Sequence, residues 1–450
     1  MVIGYLNQIN KTMKRKFIIL NILLVVTALQ QANAQRILTL EEAIATALQN
    51  NFDIQLARND SLGAAIDYQY RDAVFLPTLN AYTQNIWNNS KQKQVLIDST
   101  RQSRVKNNNI QANVGLNWTL FDGLKMFATR DKAKVMLEAG SLAIKDQIVN
   151  TVATVISTYY NIARQKQQIN ATDVQINLNR ERVKLAQAKL EIGTGTKPDV
   201  LLSRTDLNVQ EGLKVENEAN VDILKQQLVQ AMNDRSGIDF DVPDTIPVNY
   251  EIALADILAA LDGYNPALQL AKKNIEVAEY TLKETKAGLL PTINFVSNYN
   301  FTRSENSVAI NRFSPLFSQT NGLNYGFTAN IPIFNQFRVR KQIKQDQLNI
   351  SFQKLNYDNQ KSLITLNILN AFKSYEQQKK QLKLAEENIT YANELLFIEN
   401  EKYRLGRGTI IEVRQAQAAL AQAYDRLIAS RYNAKISETE LMRLRGDIVK

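Results

Sequence analysis

The sequence predicts a mainly α-helical protein with a smaller part of membrane-spanning β structure, organised as two structural repeats. Three observations predict this fold class. The stretch from Phe337 to Leu405 contains no glycine or proline. Segments of about ten residues alternate between apolar and polar side chains, as half-buried strands do. Short motifs recur in the same order at one spacing, which is the signature of an internal repeat.

The two longest predicted helices cover 124–192 and 337–405. At about 1.5 Å rise per residue, the second would be about 100 Å long, whereas the average globular helix has about 11–12 residues. Apolar residues recur at alternating steps of three and four along both helices, as at Ile368, Tyr375 and Leu382. This heptad spacing is typical of coiled coils. Each long helix therefore needs partner helices along its length.

Composition excludes several function classes. The chain has 450 residues and a formal net charge of +10, with no cysteine and no histidine. Thiol nucleophiles, imidazole bases and most zinc sites are therefore absent from its chemistry. Basic residues alternate with acidic ones along the predicted helices, which argues against nucleic acid as a partner. No phosphate loop, nucleophile elbow or carboxylate cluster is present, so we expect neither an enzyme nor a cofactor.

The first 34 residues are expected to be removed on export. Lys14-Arg15-Lys16 precede an apolar run, and Ala32-Asn33-Ala34 precede Gln35. A basic start, a short apolar stretch and a small-residue cleavage site are typical of a signal peptide. We therefore predict cleavage before Gln35, with residues 1–12 an upstream start. The run is too short, and too polar at Asn21, to favour a membrane anchor.

The mature chain repeats its own motifs. Leu76-Pro77-Thr78 returns as Leu290-Pro291-Thr292, and Gly193-Thr194-Gly195-Thr196 returns as Gly406-Arg407-Gly408-Thr409, at offsets of 214 and 213 residues. These anchors predict repeats at 35–235 and 250–446, joined by a linker at 236–249. Each repeat has a helix, two strands, a long helix, a Gly-x-Gly turn and a third helix.

The expected bounds of these elements are as follows. The opening helices cover about 40–75 and 252–289, and a proline follows each, which ends a helix. The strands cover about 77–87, 109–121, 291–302 and 322–334. The third helices cover 197–235 and 409–446.

Strand alternation favours a membrane position. Apolar side chains occupy every second position of two segments, and we predict that they face lipid: Val114, Leu116, Trp118, Leu120, Tyr325, Phe327, Ile331 and Ile333. Strands of about 9–11 residues with this alternation are typical of transmembrane barrels, although a water-soluble sheet with one wet face shows the same alternation. Four strands cannot close a barrel in lipid, so we expect two, three or four copies to combine.

The doubled Leu-Pro-Thr elements, Phe121-Asp122-Gly123, and Gly193-Thr194-Gly195-Thr196 with Asp199-Val200 resemble the TolC family of outer-membrane efflux proteins. The resemblance covers nearly all of the mature chain. It implies a homotrimer with a twelve-stranded outer-membrane barrel, four strands per chain, continued by a long α-helical coiled-coil barrel through the periplasm. It also implies a periplasmic adaptor (membrane fusion) protein and an inner-membrane transporter of the RND or ABC type as partners.

The resemblance further implies a periplasmic gate. The family's gate tyrosine matches Tyr403 and its acidic partner matches Asp199, and a hydrogen bond between them would hold the helices closed. The selectivity ring matches Glu412, whereas a second acidic position holds Gln415 and the gate arginine position holds Gly408. The alternative is structural, because Thr-x-x-acid at 196–199 and 409–412 is also a helix capping box, and Tyr403 occupies a packing position.

The turns at Gly193-Thr194-Gly195 and Gly406-Arg407-Gly408 are expected to be tight interhelical turns, and the resemblance makes them adaptor-docking turns. Between the first two strands, a basic segment carries one acid, Asp98, against five basic residues: Lys91, Lys93, Arg101, Arg104 and Lys106. We expect a solvated loop there, with contacts to lipopolysaccharide phosphates as the alternative.

The predicted function is that of a passive outer-membrane exit duct in a tripartite pump that exports small molecules or metal ions. Type I protein secretion is an alternative within transport. A periplasmic coiled-coil scaffold with no transport role is the alternative from another class.

Overall fold

The computed structural model describes residues 36–95, 97, 99–235, 237–248, 253–309 and 313–448. The predicted signal peptide lies outside these residues. The chain forms two compact units by its internal contacts. One contains residues up to Gln55, Ile148–Ala259 and the segment from Asn367 onwards, and the other contains Leu56–Gln147 and Ala260–Leu366. The two units are taken in turn.

The second unit contains a four-stranded sheet. Its strands are β2 (Thr78–Val95), β3 (Thr100–Phe121), β5 (Thr292–Asn306) and β6 (Phe317–Asn330). They pair in the order β2-β3-β5-β6, and every pair is antiparallel. The helical parts of this unit belong to α2 (Phe52–Gln69) and its following 3₁₀ turn (Arg71–Phe75), to α6 (Pro266–Ala287), and to parts of the two long helices.

The strands differ in extent from the sequence-based expectation. β2 and β3 pair without interruption from Thr78↔Asn117 to Val95↔Thr100, so the segment predicted as a loop is paired strand. Its side chains are charged and polar, and alternation of apolar residues therefore gave no signal there. β6 ends at Asn330, before the expected 334, because Pro332 has no N–H to donate to a ladder. Ile331 and Ile333 thus lie beyond the strand in which they were predicted.

The first unit is built around the long helices. α3 (Lys125–Glu191) and α7 (Arg338–Arg404) have 67 residues each, and α4 (Lys197–Met232) and α8 (Ile410–Arg445) have 36 each. Within this unit α3 and α4 pack against α1 (Leu40–Asn50), and near the turns the four long helices pack against one another. The remaining elements are α5 (Leu254–Tyr264) and the short parallel strands β1 (Arg36–Ile37) and β4 (Phe240–Asp241).

Two apolar cores hold the first unit together. One joins α1, α3, α4 and the segment after β4, and its fully buried members include Val152, Ile162 and Leu228. The other joins the turn-proximal ends of α3, α4, α7 and α8, and Leu396, Val413 and Leu420 are among its members. Full burial of an aliphatic side chain contributes about 1.5–3 kcal/mol, so these cores stabilise the predicted helix pairing.

Both opening helices are broken where the sequence predicted continuous ones. Between α1 and α2, the Asn51 side chain donates to the Ala231 carbonyl (2.8 Å) and accepts from the Ile54 amide (3.1 Å). Between α5 and α6, Asn265 caps α6 by accepting from the Leu268 amide (3.1 Å), and Pro266 occupies the first turn. An asparagine can satisfy amides at a helix start, and the breaks follow from that. None of the helices in the described ranges has an apolar run long enough to cross a lipid bilayer.

Candidate functional site

The two interhelical turns are tight, and their glycines have identifiable roles. Gly193 and Gly406 have φ of 80° and 75°, the left-handed region that glycine enters without strain. A Cβ on Gly195 would lie 2.8 Å from the Cβ of Lys189 and 3.0 Å from the Leu190 amide. At Gly408 the equivalent approach to the Lys402 Cβ is 3.2 Å. Each turn therefore packs closely against the last residues of the long helix before it. These are tight interhelical turns, as the sequence predicted.

A capping box follows each turn. Thr196 accepts from the Asp199 amide (3.4 Å) and its own amide donates to the Asp199 carboxylate (3.2 Å). Thr409 accepts from the Glu412 amide (3.3 Å) and its own amide donates to the Glu412 carboxylate (2.7 Å). The bond from the Thr409 amide, followed by that from its hydroxyl, lowers the pKa of Glu412 below its ordinary value. Both carboxylates thus stabilise helix starts, whatever further role they have.

Tyr403 lies in the core at the ends of the long helices. Its side chain is only 7% exposed, and the Lys189 ammonium stands 3.7 Å from the centre of its ring. Lys189 also donates to the Tyr403 carbonyl, so one lysine ties α3 to α7 by a cation–π contact and a hydrogen bond. Burial raises the pKa of Tyr403, and the negative charge of Asp199 raises it further.

The expected hydrogen bond between Tyr403 and Asp199 is not formed in the part of the chain that the structure describes. The Asp199 carboxylate instead accepts from the Thr196 hydroxyl at 2.7 Å, in addition to the Thr196 amide. Because a capping box holds the carboxylate at the start of its own helix, it is directed towards Thr196. The two residues are close enough to interact electrostatically, but no hydrogen bond joins them.

A buried ion network joins three helices near Tyr403, and sequence reasoning missed it. Arg182 on α3 is 5% exposed. Its guanidinium donates to Asp206 on α4, to Asn179 (2.7 Å) and to Gln417 on α8. Arg414 on α8 donates to both oxygens of the same Asp206 carboxylate, at 2.8 and 3.1 Å.

Asp206 is therefore the only carboxylate that the described contacts place between these two arginines. Burial lowers the pKa of Arg182, and the charge of Asp206 counteracts this effect. An arginine remains protonated under all ordinary conditions, so the buried cation depends on this one anion. The available sequence signal was an aspartate one heptad after Asp199, but the sequence alone does not show which helices meet there.

The sheet has one apolar and one polar face. Directly opposed residues point to the same side of a sheet, and three rows across the sheet define its apolar side: Val114↔Tyr299↔Leu323, Leu116↔Ser297↔Tyr325 and Trp118↔Phe295↔Phe327. Five of the eight predicted lipid-facing residues therefore lie on this face. Leu120 lies at an irregularity between Thr119 and Phe121, where Phe121 pairs with Ile293, so its side is not set by the register. Ile331 and Ile333 follow the strand end and are 62% and 95% exposed.

The polar face carries amides and hydroxyls. Its rows include Asn80↔Gly115↔Asn298↔Asn324 and Gln84↔Gln111↔Thr302↔Thr320. Asn107 donates to Ser304 (2.9 Å) and to Asn306 (2.7 Å), and Asn113 donates to Asn300. No acidic or basic side chain points to this side between the rows of Asn117 and Asn107. The described residues also contain no cluster of acidic side chains suited to a metal ion.

Comparisons with known proteins agree on one family. A family model described as outer membrane efflux protein matches residues 43–234 and 259–447. The outer membrane efflux protein BepC of Brucella suis is 21% identical over 338 residues, or 74% of this chain and 71% of BepC. The alkaline protease secretion protein AprF of Pseudomonas aeruginosa is 22% identical over 416 residues, or 87% of this chain and 83% of AprF.

A solved structure has the same fold. The outer membrane protein VceC from Vibrio cholerae superposes with a TM-score of 0.75 at 15% identity, over 90% of this chain and 96% of VceC. This likeness confirms the predicted fold class of long helices joined to a small sheet.

Proposed function

This chain belongs to the outer membrane efflux protein family, and we propose that three copies of it form the passive exit duct of a tripartite efflux pump. One observation supports this proposal above the others. The chain provides four antiparallel strands in the order β2-β3-β5-β6, so in a single chain the outer edges of β2 and β6 have no strand partner in the described sheet. Unpaired edges are excluded in lipid. Edge-to-edge joining of copies removes them, and three copies give twelve strands.

The duct has two proposed surfaces. The apolar side of the sheet faces lipid and the amide-rich side lines the lumen, as in barrels with alternating strands. A lumen wall of uncharged amides and hydroxyls offers hydrogen bonds without repelling either sign of charge. This chemistry fits a conduit for varied solutes, and we propose small molecules or metal ions as its cargo.

A gate is proposed where the ends of the long helices meet. Tyr403, Asp199 and the network of Arg182, Asp206 and Arg414 lie there, and Glu412 follows the second turn. In this proposal the network holds α3, α4 and α8 together in the closed arrangement, and breaking it allows the helices to separate. Three copies of Glu412 around the axis form a ring that favours cations.

The partners follow from the same proposal. A periplasmic adaptor binds the turns at 193–195 and 406–408, and an inner-membrane transporter of the RND or ABC type supplies energy, since the duct has no nucleotide-binding motif. Type I protein secretion is the second candidate, because AprF is named for protease secretion. The two differ in phenotype: loss of an efflux duct raises sensitivity to small toxic solutes, whereas loss of a secretion duct removes a protein from the medium.

The experiment that tests the proposal uses the purified mature protein. We expect a band of three chains in SDS that dissociates on heating, and stepwise ion-conducting channels after addition to a planar bilayer. Asp206→Asn, which removes the anion that Arg182 and Arg414 share, is expected to raise the conductance of those channels. A monomer that stays in the water-soluble fraction and forms no channels would contradict the proposal and favour the scaffold alternative.

A further inference from the structure

The apolar side of the sheet ends in a group of cations, which we call the cationic patch: Lys91 and Lys93 on β2, and Arg104 and Lys106 on β3. The sequence assigned these residues to a solvated loop, but they lie in continuously paired strand. Their side chains point to the apolar side, because Lys91 and Lys93 are an even number of residues from Leu79, and Leu79 pairs with Leu116 of that face. All four are exposed.

The two tryptophans of the chain point to the apolar side of the sheet, and the rows from one to the other are apolar near Trp118 but include Asn85, Arg303 and Glu305 near Trp87. Trp118 lies near the helix-proximal end of β3, and its ring N–H donates to the Phe75 carbonyl (2.8 Å). Trp87 pairs with Asn108, ten residues before Trp118 on β3. Ten residues of strand span about 33 Å, which is about 25 Å of height at a tilt of about 40°, and this equals the apolar band of a transmembrane barrel. Tryptophans typically mark both interfaces of such a band.

The cationic patch begins just beyond the row of Trp87 and Asn108. Lys106 and Arg104 lie two and four residues beyond Asn108, and Lys91 lies four residues beyond Trp87. These steps add about 7–13 Å along the strands, or about 5–10 Å of height. The polar headgroup layer on each side of a bilayer is about 5–8 Å thick. The patch is therefore at the depth of lipid phosphates.

Like charges lie next to one another in the patch. Lys91 is directly opposite Arg104, an arrangement of like charges that is unfavourable without a counterion. Among the described residues, no carboxylate forms an ion pair with any of the four side chains. On the same face, Glu305 is bound by Arg303, and Asp98 lies outside the residues that the structure describes. Because adjacent positions on one face are about 5–7 Å apart, one ligand with two phosphates can contact several of these cations.

We propose that the cationic patch binds the phosphate groups of a phosphorylated lipid in the outer leaflet, whose acyl chains lie along the apolar side of the sheet. The inference rests on the proposed placement of the sheet in the outer membrane. It adds a lipid site to the duct, with a defined chemistry and depth. An arginine and three lysines match phosphate oxygens in charge and in hydrogen-bond donors.

The test uses the full-length mature protein in detergent, titrated with diphosphorylated lipid A, with dephosphorylated lipid A, or with inorganic phosphate. Binding is followed by native mass spectrometry and by the temperature at which the heat-sensitive oligomer dissociates. We expect diphosphorylated lipid A to bind and to raise this temperature, and dephosphorylated lipid A to bind at least tenfold more weakly. Binding should also weaken as salt is raised, since the contacts are charged and exposed.

The key variant replaces Lys91, Lys93, Arg104 and Lys106 with Gln. Its matched control replaces four exposed lysines of α7 with Gln and has the same change of charge: Lys354, Lys379, Lys380 and Lys383. We expect the patch variant to lose at least tenfold in affinity for diphosphorylated lipid A and the control to retain it. Equal loss in both variants, equal binding of both lipids, or an equal effect of inorganic phosphate would overturn the inference.

The oligomer and its channels provide a separate readout. The patch variant is expected to form SDS-resistant oligomers and ion-conducting channels as the unmodified protein does. If the unmodified protein forms neither, the proposed function fails. If it forms both and does not distinguish the two lipids, only the lipid inference fails.

Discussion

Replacing Asp206 with Asn is the most informative change at the proposed gate. It keeps the size of the side chain and removes the one negative charge shared by Arg182 and Arg414. Arg182 would stay buried and charged, with its remaining bonds to Asn179 and Gln417. The closed arrangement would therefore lose an ion network and retain an unpaired buried cation.

The size of the effect can be worked from the burial of the partners. Removal of one partner of a buried ion pair costs about 3–5 kcal/mol. Arg182 has a side-chain exposure of 4%, but Asp206 and Arg414 have 22% and 40%, so water screens part of the network and we take the lower limit, about 3 kcal/mol. Since about 1.4 kcal/mol corresponds to a factor of ten, the equilibrium between closed and separated helices is expected to shift about 100-fold.

The assay is the fraction of time that single channels spend in the high-conductance state in a planar bilayer. Asp206→Asn is expected to raise that fraction, and Arg414→Gln to raise it less, because Arg414 is the more exposed partner. The double variant should show less than the sum of the two effects, since both changes break one network. Asp173→Asn is the matched control, because Asp173 joins the same two helices, α3 and α4, through a pair with Lys214 that is more exposed than the pair of Arg182 with Asp206. An unchanged open fraction in Asp206→Asn, or an equal rise in the control, would refute the reasoning.

Three further predictions test other parts of the structure. Burial raises the pKa of Tyr159 to about 12, so this tyrosine loses its proton at lower pH in the unfolded chain than in the folded one. The free energy of unfolding should therefore fall by roughly 2–3 kcal/mol between about pH 10 and 12. Tyr159→Phe should flatten that part of a pH titration of stability, and an unchanged slope would assign the loss to other groups. Glu412→Gln keeps the side-chain size but removes the charge of the proposed ring. The reversal potential in a salt gradient should therefore show a lower preference for cations. An unaltered reversal potential would leave Glu412 with its helix-capping role alone. Gly195→Ala should destabilise the turn, because its Cβ would lie 2.8 Å from that of Lys189. Gly212→Ala, whose Cβ would have no atom within 4 Å, should stabilise α4 by about 0.5–1 kcal/mol. Equal denaturation midpoints for the two variants would contradict the turn geometry.

The sequence predicted those features that follow from local chemistry. The long helices begin and end within one residue of expectation, at 125–191 and 338–404, because a run without glycine or proline has no internal stop and each Gly-x-Gly turn marks an end. The capping boxes at Thr196 and Thr409 were likewise predictable, since both partners are three residues apart. The breaks in the opening helices were harder to predict. The break at Asn51 depends on a bond to the Ala231 carbonyl, 180 residues away in the chain.

Two features of the candidate site depended on tertiary contacts. The network around Arg182 joins residues up to 235 positions apart, and no short motif encodes it. The cationic patch was visible as charge, but its side of the sheet follows from the pairing of Leu79 with Leu116 and the even spacing between Leu79 and Lys91. Tyr403 was placed at the gate by resemblance, and its contact with Lys189 was not predicted, because cation–π contacts between helices have no sequence signature.

The central claim is that one side of the sheet faces lipid and the other faces water. Leu323 and Asn324 are neighbours on β6 and point to opposite sides, through Leu323↔Tyr299 and Asn324↔Asn298. The Leu323 row contains Val114, near the midpoint between the rows of Trp118 and Trp87. An arginine on the lipid face at the bilayer midplane costs about 2–4 kcal/mol.

The most direct measurement compares Leu323→Arg with Asn324→Arg by denaturant titration of the protein folded into lipid vesicles. Both variants add one positive charge to the same strand. The account predicts a loss of about 2–4 kcal/mol per chain for Leu323→Arg and a much smaller loss for Asn324→Arg. Equal losses, or the larger loss at Asn324, would contradict it.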